Sequence, residues 1–333
     1  MRKRNIVISV LGVMGLLILI LDGRTAAEGI RSGLNICMQT LIPSLFPFFV
    51  LSGVVTGSLI GQPVPLLNRL GKLCHMPLGS ESLLVAGFLG GYPVGAATVY
   101  RAYKEGQLTA SEANRMAIFC NNAGPSFLFG MIGPMFPNKL YVWCLWIVQI
   151  LSALLTAFLL EGTHAPTCKI STNTFSLSES LNKAVRNMAA VCGWVVLFRM
   201  VLEFLDRWLF HSFTPIAQVI LTGILELSNG CLRLEYISNT EIRFIVSSAM
   251  LSFGGICILM QTLAVFPGLH LKQYLAGKAL QLTLGCILSI AALMLLSNQY
   301  MMLLIWITVI IILSAGILAL RSRNNKLAVA IPE

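Results

Sequence analysis

Long apolar runs alternate with short polar segments along most of this chain of 333 residues. Several of these runs are close to, or longer than, the roughly 20 residues that a helix needs to cross a bilayer. The clearest runs are residues 6–21, 34–59, 140–160, 184–205, 275–296 and 301–320. The pattern predicts an all-α polytopic membrane protein embedded in a lipid bilayer.

Two clusters interrupt the apolar pattern in the first half of the chain. They read Gly90-Gly91-Tyr92-Pro93-Val94-Gly95 and Asn121-Asn122-Ala123-Gly124-Pro125-Ser126. Glycine and proline free backbone groups that, at membrane depth, persist only where protein or a water-filled cavity covers them. Two broken segments with polar side chains are typical of the midplane site of a secondary transporter. The predicted substrate-binding residues here are Gly90, Gly91, Tyr92, Pro93, Gly95, Asn121, Asn122, Gly124 and Ser126.

These clusters also have a simpler interpretation. The first can be a hairpin turn packed against its neighbours, and the asparagines of the second can join helices to one another. The apolar arms on either side of the first cluster are each too short to span, so a re-entrant hairpin over 83–100 is favoured over a crossing. In the hydrophilic segment 101–115, Thr109 and Glu112 have the spacing of a capping box and predict a helix start.

The second half of the chain repeats this order of features with weak identity. A predicted helix over 184–205 corresponds to the apolar run 34–59 of the first half. An apolar hairpin over 216–232, broken at Leu227 to Gly230, corresponds to the hairpin over 83–100. A second helix break at Ser252 to Gly255 completes the comparison. The predicted binding residues of this half are Glu226, Ser228, Asn229, Ser252, Gly254 and Gly255. Glu226 is an ionisable group in an apolar run, which suggests binding of a proton or cation, unless its hairpin is shallow enough to touch water.

The order of features divides the chain into five predicted parts. They are an N-terminal helix (1–30), a first repeat (31–161), a Ser/Thr-rich linker (162–180), a second, degenerate repeat (181–297) and a C-terminal helix with a basic tail (298–333). The basic N-terminus followed by an apolar run also fits a signal peptide, but an uncleaved first helix is favoured.

Charge adds an orientation to this picture. Only 11% of residues are charged while 56% are hydrophobic, and the net charge of +10 comes from basic residues between the apolar runs. Such clusters favour cytoplasmic loops over a nucleic-acid surface. If both hairpins return to their own side, about 16 basic residues, Lys278 among them, are cytoplasmic and about 6 are not, whereas full crossings give about 12 against 10. We therefore predict about eight transmembrane helices plus two re-entrant hairpins in two inverted repeats, with both termini cytoplasmic.

Other chemistry is sparse. There is no P-loop, His-Glu-x-x-His or Gly-x-Ser-x-Gly motif, so we predict no enzymatic activity and no cofactor. The nine cysteines show no Cys-x-x-Cys spacing, which predicts no metal site; Cys120 beside the second cluster is the only basis for metal permeation. Arg199 and Glu203 lie four residues apart and form either an ion pair or, through Arg199, an attraction for an anion.

The segment from Gly87 to Gly133, with GGYPVGA followed by CNNAGPSFLFG, resembles the nucleoside-recognition, or Gate, domain family. It is most similar to the sporulation integral membrane proteins of endospore-forming bacteria. The resemblance implies a protein of the bacterial inner membrane or outer forespore membrane that moves a small organic anion, dipicolinate. A coupling ion or proton as a second partner, and a homo-oligomeric state, stay open. Gate domains also occur in nucleoside transporters, so nucleoside transport stays open, as does a non-transporting assembly factor for spore maturation.

Overall fold

The computed structural model describes residues 2–59, 65–77, 79–160 and 176–299, and every regular element in these ranges is helical. Five of the described helical segments are long and apolar enough to cross a membrane. They are Gly23–Val55, Lys139–Leu159, Leu177–Trp208, Thr240–Val265 and Leu271–Leu296. The protein is therefore an integral membrane protein whose apolar helix faces contact lipid. The predicted number of eight crossings and the inverted repeats stay predictions.

The N-terminal part is a nearly continuous series of helices. In order they are α1 (Arg2–Leu21), α2 (Gly23–Ile36), a π-helical turn (Cys37–Leu41), α3 (Ile42–Leu59) and α4 (Pro65–Leu73). The π-helical turn ends two residues before Pro43, and Pro47 lies inside α3. Proline cannot donate a backbone hydrogen bond, so this stretch departs from a regular helix beside its two prolines.

The two interruptions of the first half are real breaks between helices. The elements are α5 (Glu81–Gly90), α6 (Val94–Lys104), α7 (Ala110–Cys120), α8 (Pro125–Phe127) with a π-helical extension (Leu128–Ile132), and α9 (Lys139–Leu159). Residues 91–93 separate α5 from α6, and residues 121–124 separate α7 from α8. The capping box of Thr109 and Glu112 at the start of α7 is confirmed.

The second half also consists of helices separated by short breaks. They are α10 (Leu177–Trp208), α11 (Pro215–Leu225), α12 (Leu227–Leu232), α13 (Thr240–Phe253), α14 (Gly255–Val265) and α15 (Leu271–Leu296). The break at Gly254 is where the sequence predicts it. The predicted break from Leu227 to Gly230 is wrong, because these residues are helical and the chain breaks at Glu226 instead.

Some sequence predictions fall outside the described residues. These are most of the linker, at 161–175, and the C-terminal helix with its basic tail, at 300–333. The helix α10 begins at Leu177, so the last residues of the predicted linker are helical.

Small residues let the helices of the two halves approach closely. A Cβ on Gly29 of α2 would lie 2.7 Å from the Met200 Cα of α10. On α15, a Cβ on Gly277 would lie 2.5 Å from Ile118 of α7, and one on Gly285 would lie 2.4 Å from the Ser252 hydroxyl of α13. Helix packing inside membranes relies on such small residues. The closing helix α15 therefore touches the helix before each break.

The charged groups near one end of α10 pair with each other. Arg199 Nη2 lies 2.6 Å from Glu203 Oε2, which confirms the predicted ion pair, and Arg199 Nη1 lies 3.1 Å from Asp206 Oδ2. Asp206 also accepts from Arg233, which follows α12. Arg199 thus has two carboxylate partners already, which removes the reason to assign it to an anionic substrate.

Candidate substrate site at two helix breaks

The first hairpin and the first helix break contact each other through backbone atoms. A Cβ on Gly91 would lie 2.8 Å from the Gly124 nitrogen, and Gly91 has a φ of +72°, which favours glycine. Cβ atoms on Gly87 and Gly95 would lie 1.8 and 2.0 Å from the Cys120 carbonyl oxygen. Only glycine fits at this spacing, so the composition of the hairpin allows α5 and α6 to straddle the end of α7.

The second hairpin contacts the second break in a comparable way. A Cβ on Gly255 would lie 2.7 Å from the carbonyl oxygen of Gly223 in α11. Gly254 ends α13 in the left-handed conformation, and its N–H donates to the Met250 carbonyl at 2.8 Å. This is a common way to end a helix and satisfy one of its last carbonyls. The second break is therefore closed mainly by local backbone geometry.

Tyr92 links the first hairpin to the second break. Its hydroxyl donates to the Leu251 carbonyl at 3.1 Å, and a Cβ on Gly254 would lie 3.1 Å from the same hydroxyl oxygen. Gln149 of α9 donates to the Leu251 carbonyl as well, at 3.4 Å. Residues near both breaks, which are far apart in sequence, therefore meet in the interior of the protein.

A cavity lies between these elements. It is lined by residues of α3 and the π-helical turn before it, both hairpin turns, the first break, α10 and α14. The lining residues are Leu41, Leu45, Phe49, Gly90, Gly91, Tyr92, Ala123, Gly124, Ser126, Phe127, Val191, Val195, Glu226, Leu227, Ser228, Ile258 and Gln261. The cavity offers about 40 Å³ to the centres of water-sized molecules. That is room for a few waters, since one water needs about 10–15 Å³ on this measure.

Glu226 supplies a carboxylate to the cavity wall and is 1% exposed. Its Oε1 accepts from the Ser228 N–H at 2.9 Å, and its Oε2 accepts from the Asn229 N–H at 2.6 Å and from Asn229 Nδ2 at 2.7 Å. A side-chain oxygen of the residue just before a helix can accept from its first N–H groups and cap it in this way. Glu226 therefore has a structural role as the cap of α12, in addition to its place at the cavity.

The two asparagines of the first break belong to a buried network of polar side chains that includes residues of α14 and α15. Asn121 Nδ2 donates to Thr262 Oγ1 at 2.9 Å and to the Tyr274 hydroxyl at 3.1 Å. Asn122 Oδ1 accepts from Gln281 Nε2 at 2.7 Å, and the Asn121 carbonyl accepts from Lys278 Nζ at 2.6 Å. The side chains of the break are thus held by helices of the second half.

The structure brings about half of the predicted site residues to the cavity. Those that line it are Gly90, Gly91, Tyr92, Gly124, Ser126, Glu226 and Ser228. The others do not line it but lie in the break regions: Pro93, Gly95, Asn121, Asn122, Asn229, Ser252, Gly254 and Gly255. Ser252 Oγ has no hydrogen-bond partner among the described residues. The assignment of these residues to a substrate site stays a prediction.

Lys278, Gln281 and Gln149 are absent from the sequence prediction of the site. The charge count assigns Lys278 to the cytoplasmic side, but the structure shows in addition that this side chain is fully buried within α15. It lies inside the apolar run 275–296, so the same signal that singles out Glu226, an ionisable group in an apolar segment, also applies to it. Gln149 lies ten residues after the start of α9 at Lys139, and Gln281 lies ten residues after the start of α15 at Leu271.

Comparison with known proteins gives a partial match. Over 107 residues the chain is 33% identical to the sporulation integral membrane protein YlbJ of Bacillus subtilis (strain 168). The match covers 32% of this chain and 26% of YlbJ, so it spans about a quarter of that relative. No family model matches the chain, and the Gate-domain assignment stays a prediction. No solved structure matches it either.

Proposed function

We propose that this protein is a membrane transporter for a small organic anion, with dipicolinate as its substrate at the outer forespore membrane during sporulation. The observation that carries the proposal is a cavity lined by the first helix break and by the turns of both hairpins, which come from different halves of the chain. Broken helices around a central cavity are the usual architecture of a secondary transporter site. The similarity to a protein named for sporulation supports the biological setting.

The charges near the cavity support an anion as substrate. The Glu226 carboxylate in the wall already accepts three N–H donors, so its charge is offset by the start of α12. Lys278 Nζ lies 5.4 Å from the ring centroid of Tyr92, and Tyr92 also lines the cavity. A buried ammonium without a carboxylate partner leaves a positive field that favours an anion on the Tyr92 side.

Transport requires the cavity to enlarge, because room for a few waters is less than an aromatic dicarboxylate occupies. The π-helical turn Cys37–Leu41 is the place where we propose that this movement starts. Leu41 lines the cavity, and the turn interrupts a long apolar segment beside it. Such π-helical turns are frequent at functional sites.

The test is uptake by purified protein in liposomes. We expect labelled dipicolinate to accumulate under an imposed ion or proton gradient, with no competition from uridine. Val191→Phe, which places a ring in the cavity wall, is expected to lower the rate about tenfold or more. Val185→Phe introduces the same side chain at an exposed position of the same helix and serves as the matched control.

Three outcomes contradict the proposal. Absence of dipicolinate uptake under every gradient removes the transport function and leaves the assembly-factor alternative. Inhibition of uptake by uridine replaces the organic anion with a nucleoside. Equal rates in Val191→Phe and Val185→Phe exclude the cavity as the route.

A further inference from the structure

Lys278 is held in an oxygen-lined position at the first helix break. Its side chain is fully buried, and its Nζ lies 2.6 Å from the Asn121 carbonyl oxygen and 2.9 Å from Gln281 Oε1. The ring centroids of Tyr92 and Tyr274 lie 5.4 and 5.9 Å from it. Carbonyl oxygens and the faces of aromatic rings are all groups that attract a cation. The surroundings therefore suit a positively charged ammonium group.

No carboxylate pairs with this ammonium group among the described residues, whose ion pairs involve other side chains. A buried charge without a partner of opposite sign is costly, and ionisable groups inside membrane segments usually serve a function. The free-energy cost of burying this charge therefore indicates that Lys278 has a role that a neutral side chain at the same position would not fulfil.

The oxygen atoms around Lys278 are held in place by hydrogen bonds and by a helix end that do not involve Lys278 itself. Gln281 Nε2 donates to Asn122 Oδ1 at 2.7 Å, which turns the Gln281 carbonyl oxygen toward Lys278. Asn122 is in turn fixed by a hydrogen bond from its Nδ2 to the Phe119 carbonyl, at 2.6 Å. The Asn121 carbonyl is free for Lys278 because α7 ends at Cys120. A carbonyl freed by a helix break, together with a side-chain oxygen, is the kind of ligand set that binds the coupling Na⁺ in many transporters.

We propose that the Lys278 ammonium is a tethered cation, which occupies the position at the first break where a mobile alkali-metal ion would otherwise bind. Its positive charge holds the Asn121 carbonyl and keeps the two halves of the protein together at this point. Transport by this protein therefore needs no Na⁺ or K⁺. The statement about transport rests on the proposed function, whereas the statement about the cation position does not.

The first experiment measures thermal unfolding of the purified protein in detergent and needs no substrate. It compares NaCl, methylammonium chloride and choline chloride at equal concentration, since choline is too large for the position. We expect the wild type to unfold at the same temperature in all three salts. Lys278→Ala is expected to unfold at a lower temperature in choline and to regain about 2 °C or more in Na⁺ or methylammonium, because a bound cation stabilises the folded state. Lys272→Ala, at an exposed position of α15, is the matched control.

If Lys278→Ala does not fold, Lys278→Gln carries the same comparison. The glutamine leaves no large void, and its carbonyl oxygen adds a ligand to the Asn121 and Gln281 oxygens. The Lys278→Gln variant is expected to unfold at a higher temperature in NaCl than in choline chloride. The wild type is expected to show no such difference. The proposal is overturned if the wild type depends on Na⁺, or if the Lys278 variant responds to the three salts as Lys272→Ala does.

The second experiment repeats the comparison with dipicolinate uptake in liposomes. Uptake by the wild type is expected to be equal in sodium and choline media under a proton gradient. Uptake by the Lys278 variant is expected to be about tenfold lower in choline and restored by Na⁺ or methylammonium. Uptake that is lost in every medium overturns the proposal. If the wild type itself moves no dipicolinate, the proposed function fails, and the unfolding experiment alone decides on the tethered cation.

Discussion

The first and second helix breaks of this protein are built alike but are stabilised differently. Each lies beside a short hairpin with a tightly packed glycine, Gly87 in α5 and Gly223 in α11. Each is also reached by a glutamine from a long helix, Gln281 at the first break and Gln149 at the second. At the first break the asparagine side chains and a freed carbonyl bind to α14 and α15. At the second, Gly254 ends α13 in the left-handed conformation, and fewer side chains hold the break.

This difference indicates which break depends on the rest of the protein. The partners of the first break come from helices more than a hundred residues away in sequence, such as Lys278 for Asn121. At the second break the Gly254 N–H bonds locally to the Met250 carbonyl, and the distant donors Tyr92 and Gln149 reach only the Leu251 carbonyl. Changes at the first break should therefore disturb the contact between the halves, whereas changes at the second should act locally.

The largest expected effect comes from the paired glycines of the hairpins. Gly87→Ala places a Cβ 1.8 Å from the Cys120 carbonyl oxygen, and rigid backbone cannot move aside without displacing α5. We expect a loss of about 4 kcal/mol or more, enough to prevent recovery of folded protein. Gly223→Ala meets only side-chain atoms of Met250, the nearest at 2.6 Å, and is expected to cost about 1–2 kcal/mol because this side chain is flexible.

Thermal unfolding and the yield of monodisperse protein in detergent measure both variants. Gly193→Ala is the control, since a Cβ at Gly193 has nothing within 4 Å. Equal stability of Gly87→Ala and Gly223→Ala would contradict the tighter packing of the first hairpin.

The polar side chains of the two breaks give the next largest contrast. Asn121→Ala leaves Thr262 and Tyr274 without the amide that joins them, and we expect it to cost about 2–3 kcal/mol. Ser252→Ala removes a buried hydroxyl that has no partner among the described residues, so it is expected to be neutral or slightly stabilising. Unfolding temperatures of the two variants measure the difference. A Ser252→Ala variant as unstable as Asn121→Ala would mean that both breaks depend on side chains alike.

The sequence was sufficient to predict the breaks where glycine and proline mark them. Residues 91–93 and 121–124, and the break at Gly254, lie where the clusters predict them, because these residues cannot continue a helix in the observed conformation. The capping box of α7 was also predictable, since both of its residues are three apart. Local conformation is encoded by neighbouring residues, and these features depend on neighbours alone.

Features that depend on distant residues were not predictable in the same way. Asn229-Gly230 suggests a turn, but Glu226, one residue before α12 begins at Leu227, caps this helix and keeps both residues helical. Lys278 lies near the start of the apolar run 275–296, so a charge count assigns it to the cytoplasmic side. Only the folded chain shows that the Asn121 carbonyl, 157 residues away, is its partner.

The cap of α12 tests the local character of the second half. Glu226→Ala removes the acceptor for the Ser228 and Asn229 N–H groups, and we expect a cost of about 1–2 kcal/mol. Hydrogen exchange of these two amides should accelerate, while exchange near Asn121 should stay unchanged. Glu235→Ala, at an exposed glutamate that follows α12, is the control. Faster exchange at the first break would show that Glu226 acts beyond its own helix.

The smallest single effects are expected at Leu251, where the two halves share one acceptor. Its carbonyl receives the Tyr92 hydroxyl at 3.1 Å and the Gln149 amide at 3.4 Å. Because each donor can partly replace the other, Tyr92→Phe and Gln149→Leu should each cost about 1 kcal/mol or less. The double variant leaves the buried carbonyl without either donor, so its cost should exceed the sum of the single costs by about 1 kcal/mol. Unfolding of the four proteins in a double-mutant cycle measures this coupling, and strict additivity would mean that the two donors do not share Leu251 in solution.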